Sequence, residues 1–105
     1  LVQGDTGAQV RTTVRRNYDN EPKDISEAEV RMYFREKGTK TLINTLFSVS
    51  SVEDRQNGIA IFAFGEGDLD IEQGFYEGEI EIRYNNGGIE TVYQPINFYL
   101  REDFA

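Results

Sequence analysis

Carboxylates are the residues in this chain whose type and spacing most invite chemistry. Asp68, Asp70 and Glu72 alternate along one short stretch, Gly74 follows them, and Glu79 lies further on. Alternating acidic oxygens in a loop are what Ca²⁺ prefers, so these three are the best candidates for a metal site. The helix-loop-helix calcium loop places Gly at its sixth position, where this chain has Gln73, and it needs helices on either side. An acidic turn between strands is the plainer expectation, with no metal and no cofactor required.

Other chemistry is short of reagents. The chain has no His and no Cys, which removes the commonest general base, the usual nucleophile-activating pairs, disulfides and thiolate zinc sites. Ser26, Ser48, Ser50 and Ser51 therefore lack an activating imidazole. Paired carboxylates serve glycosidases, but Glu77, Glu79 and Glu81 fall at alternate positions of one strand, on a face that water is expected to cover. Ionised carboxylates are stable in such surroundings and need no catalytic role to explain them. The reading is a domain that is not an enzyme.

Aromatic residues point to a different activity. Of seven Phe and six Tyr, most fall at inward strand positions. Tyr33 with Arg31 and Arg35, and Tyr99 with Arg101, instead fall at outward positions. Tyr and Arg are enriched where proteins meet, so these five residues form the expected partner surface.

The elements that must position these residues follow from periodicity. Segments with period-two alternation, separated by turn formers, predict an all-β sandwich or barrel of about seven strands. Val10, Thr12 and Val14 share the first strand's inward face, and the turn 17–22 closes it. Ala28, Val30, Met32 and Phe34 alternate with Glu29, Arg31, Tyr33 and Arg35 in the second. Ser26 and Glu29 also have the spacing of a helix capping box, which makes a helix over 26–37 the competing expectation. The third strand runs over 41–49, with Ile43, Thr45, Phe47 and Val49 on one face. Segment 58–64 is apolar almost throughout, as expected of a central strand covered on both sides. Tyr76, Gly78, Ile80, Ile82 and Tyr84 face inward in the next, and the turn 85–88 gathers residues that tolerate positive φ. Pro95 is expected to divide the last stretch into two strands, 89–93 and 96–100.

Size and charge limit the partners. One hundred and five residues make one domain with one core, residues 1–105. Eleven basic against nineteen acidic residues give a net charge of −8, which repels nucleic acid and anionic lipid. No apolar run approaches the ~18 residues of a membrane span.

Several fragments, taken in order, carry a resemblance. Gln3 to Gly7 leads into a strand, Asp24 to Ala28 leads into Val30 to Phe34, and Gly58 opens an apolar strand. Gly65 to Asp68 then precedes Gly74 to Glu79, and Pro95 precedes the closing strand. Over nearly the whole chain this order resembles the N-terminal domain of the upper baseplate protein family of tailed bacteriophages. The resemblance implies an immunoglobulin-like antiparallel sandwich, soluble before assembly and then part of the virion. It would dock to a tail or baseplate ring, support receptor-binding parts, and work as an oligomer, commonly a trimer. Its partners would be other tail or baseplate proteins. The alternative is a calcium-dependent carbohydrate- or surface-binding module using the loop 66–74.

Overall fold

The computed structural model describes residues 1–102, less the side chains of residues 93 and 94. In chain order the elements are β1 (Gln9–Thr13), β2 (Ala28–Glu36), β3 (Leu42–Phe47), α1 (Val52–Gln56), β4 (Ile59–Ala63), β5 (Gly74–Tyr84) and β6 (Ile89–Leu100). They form a four-stranded sheet in the order β3-β2-β5-β6 and a two-stranded sheet β1-β4, with every named pairing antiparallel. The fold is an all-β sandwich.

Alternation decides which side of each strand is buried. On β2, Ala28, Val30, Met32 and Phe34 are buried; on β5, Tyr76, Gly78, Ile80 and Ile82. The smaller sheet contributes Ala60, Phe62 and the adjacent Phe64. Phe34 is the hub. Its ring stacks on Tyr76 at 5.3 Å and meets Phe64 and Phe98 edge-on at 5.2 and 5.5 Å, arrangements that add to simple area burial. A Cβ on Gly78 would lie 2.5 Å from Met32 Sδ, so the absence of a side chain makes room for the Met32 and Phe98 side chains over β5.

Two loop residues seal the ends of the core. Ile25 and Leu69 are almost fully buried although neither belongs to a strand. Asp24 accepts from both the Ser26 amide and hydroxyl, at 2.9 and 2.6 Å, and so shapes the turn that carries Ile25 inward.

Two expectations need correction. The competing helix over 26–37 is not formed: the stretch holds strand β2, Ala28–Glu36, as the longer period-two match required, and the helix cap lies elsewhere. Ser51 Oγ accepts from the Asp54 amide at 3.2 Å and starts the single-turn helix α1 in what reads as a polar loop. Pro95 does not divide the last stretch. Gly78 pairs with Ile96 and Ile80 with Val92, so residues 93–95 stand opposite Glu79 alone, and one bulged strand replaces two. The count of named strands is therefore six. Finally, β4 is buried on one side only, with Ile59, Ile61 and Ala63 half-exposed.

Candidate functional site

The outer face of the four-stranded sheet collects the residues that carry charge and aromatic surface. Register places them in rows. Phe47, Arg31, Glu81 and Thr91 lie side by side across β3, β2, β5 and β6, and Leu42, Arg35, Glu77 and Asn97 form a second row. Arg83 stands between Glu29 and Ile89, and Phe75 is opposite Tyr99.

The middle of this face is an ion-pair ladder. Arg35 donates through Nε to Glu77 at 2.9 Å and through Nη1 to Glu79 at 3.4 Å. The Tyr33 hydroxyl donates to Glu81 at 3.1 Å, and Glu81 also accepts from Arg83. Arg31 donates to Glu29 at 2.6 Å while its guanidinium rests 5.1 Å above the Phe47 ring. Arg83 is the main cause holding the Glu81 carboxyl below its usual range, and the Tyr33 hydroxyl adds to it. The Glu77 hydrogen bond raises the pKa of Arg35, with Glu79 contributing. Ion pairs this open to solvent are screened and contribute little to stability, so the ladder is better read as a surface than as a staple.

Apolar side chains surround the ladder. Phe75 and Tyr99 are 63% and 54% exposed, pack on each other at 5.1 Å, and occupy one end. Phe47 and Leu42 line the β3 side, and Ile89 the far corner of β6. A large apolar group left in water on several strands of one face has a use that an isolated exposed Leu does not.

Of the five residues expected at a partner surface, Arg31, Tyr33 and Arg35 lie together on β2. Tyr99 shares their face two strands away, and exposed Arg101 follows it, its backbone bridged to Val2. Sequence reasoning missed Phe75, Phe47, Leu42 and Ile89. The signal for Phe75 was available, since it has the parity of Glu77 and Glu79. For β3 the pattern located the face but not its exposure, because only Leu46 is buried there.

The acidic loop is held by its own side chains. Asp68 Oδ2 accepts from the Gly65 amide at 2.7 Å, and Oδ1 accepts from Asn44 Nδ2 at 2.9 Å, tying the loop to β3. The Tyr76 hydroxyl donates to the Glu72 carbonyl at 2.5 Å, and burial, then Glu36 and Glu72, pushes its pKa up. Asp70 and Glu72 are exposed. Among the described residues no group of three acids converges to hold a cation. None of the described helices is long and apolar enough to cross a membrane.

The fold and this face define a small antiparallel β domain with a mixed apolar and charged surface. Comparison of the chain with models of protein families, with curated proteins and with solved structures returned no match.

Proposed function

We propose that this domain is a non-enzymatic docking module that binds another protein through the outer face of its four-stranded sheet. The observation that carries the reading is the ring of five exposed apolar side chains, Leu42, Phe47, Phe75, Ile89 and Tyr99, around the Arg–Glu ladder. Phe75 and Tyr99 would supply the buried contact, and Arg31, Tyr33 and Arg35 the polar selectivity.

The setting we propose is the bacteriophage virion, where the domain would dock to a tail or baseplate ring and support receptor-binding parts, as an oligomer such as a trimer. The ordered fragments from Gln3 to Pro95 support that setting. Capture of tail proteins from disrupted virions tests it. The expected result is retention of a tail or baseplate protein by the native domain and its loss with Phe75→Ser/Tyr99→Ser. Retention undiminished by that double change would remove the outer face from the account.

A further inference from the structure

The sandwich is stitched along one side and open along the other. The Val49 amide donates to the Ile61 carbonyl at 2.8 Å, so the chain leaving β3 runs directly against β4. At the far end of β6, the Gln3 amide donates to Arg101 and the Arg101 amide to Leu1, both at 3.0 Å. Between these seams β1 and β6 face each other across a groove of about 1020 Å³, with Thr12, Thr13 and Val14 on one wall and Glu90, Thr91 and Val92 on the other.

Hydrogen-bond parity shows which backbone groups border it. The Val14 amide donates to Gly58 and the Phe64 amide to Ala8, so even residues of β1 bond to β4 and Arg11 and Thr13 turn their amides and carbonyls away. The Tyr84 amide donates to Gly88, so Gly88, Glu90 and Val92 bond to β5, and Ile89 and Thr91 turn away. Two unpaired strand edges therefore flank one groove. Exposed Arg11 on β1 and Arg15 just beyond its end have no carboxylate partner among the described residues, Arg15 donating only to the Asn20 carbonyl at 3.0 Å, whereas the carboxylates bordering the groove, Glu79 and Glu90, are already paired with Arg35 and Lys23.

We propose that this groove takes an extended segment of a partner protein by strand addition, closing the wall between β1 and β6. Main-chain hydrogen bonds supply affinity in this mode, and alternate side chains supply selectivity. The segment carries apolar residues at alternate positions, facing the core, and acidic residues between them, facing Arg11 and Arg15. The chain starts at the far end of β6, where Gln3 bonds to Arg101, and the end of β1 borders the groove with the start of β6, so β1 runs against β6 and the added strand is parallel to one and antiparallel to the other. The inference rests on the reading of the domain as a docking module but uses the backbone edges of β1 and β6, which border the outer face at Ile89 and Thr91, and not the Phe75–Tyr99 pair at its other end.

The test uses a peptide of about ten residues alternating Val with Glu, a length typical of a long strand. Titration followed by backbone amide NMR should show saturable binding, with the Arg11, Thr13, Ile89 and Thr91 amides perturbed and slowed in exchange. A peptide with Lys in place of Glu should bind at least about tenfold more weakly, because like charges then meet. Arg11→Glu/Arg15→Glu should weaken the Glu peptide by a similar factor, whereas Lys40→Glu, an equal charge change elsewhere, should not. Thr91→Pro removes an amide that β5 does not use, so it should abolish binding while leaving the melting temperature nearly unchanged. No binding at millimolar peptide, equal binding of the Lys peptide, or full binding by a folded Thr91→Pro variant would overturn the proposal. Capture of tail proteins through Phe75 and Tyr99 is a separate readout and fails independently.

Discussion

Gly58 has φ +75°, and a Cβ there would lie 2.6 Å from the Val14 carbonyl oxygen and 2.8 Å from that of Lys23. Both contacts are backbone and neither can swing aside. Gly58→Ala should therefore cost at least about 3 kcal/mol, the sum of left-handed strain and overpacking. Gly67 has φ +82° with nothing near its missing Cβ, so Gly67→Ala should cost only about 1 kcal/mol. Urea midpoints of the two variants check the difference. Glu81 makes a pH prediction at the same scale. Its folded-state pKa lies below the unfolded value of about 4.3. Its contribution is then complete above that value and fades as pH falls through the lowered one. Urea midpoints measured from pH 6 down to pH 3 should decline for the native chain, and Glu81→Gln should flatten that decline. Sequence identified Glu81 as outward but not as half-buried. The missing information was that Tyr33 and Arg83 would close over it.

At the scale of elements, legibility followed the strength of local periodicity. β5 and β2 were read with the right faces because each alternates for nine residues or more with one side against the core. Two features escaped. Helix α1 has five residues, too few for a helical period to register, and its Ser51 cap has only Asp54 to mark it. The continuity of β6 through Pro95 escaped because an edge strand with a bulge needs no amide there, a tertiary fact that propensity does not carry. The loop 65–73 makes the element-level prediction. Asp68 ties it to its own start and to Asn44, so Asp68→Ala should destabilise the domain by about 1.5–3 kcal/mol, the range for hydrogen bonds to a charged group. Millimolar Ca²⁺ should leave the thermal midpoint of the native chain unshifted, since the Asp68 oxygens already have donors. A metal-dependent rise would return the loop to consideration as a cation site.

For the whole molecule, the outer face of one sheet and the groove between β1 and β6 adjoin along the start of β6, where Ile89 and Thr91 border both. A domain that binds as proposed, by Phe75 and Tyr99 at one end and by the β1 and β6 edges at the other, would hold two neighbours at once. The outer face was half legible in the sequence: the Arg and Tyr positions of β2 and β6 came from parity, whereas the apolar ring emerged only when β3, β5 and β6 were set in register. The groove was not legible, because it is defined by which strands do not pair. Electron microscopy of an intact phage particle, the proposed setting, tests the central claim most directly. The account predicts density for this domain at a tail or baseplate ring, with Phe75, Tyr99 and the Arg–Glu ladder covered by a neighbouring protein. Its absence from the particle, or its presence with that face bare to solvent, would contradict the account.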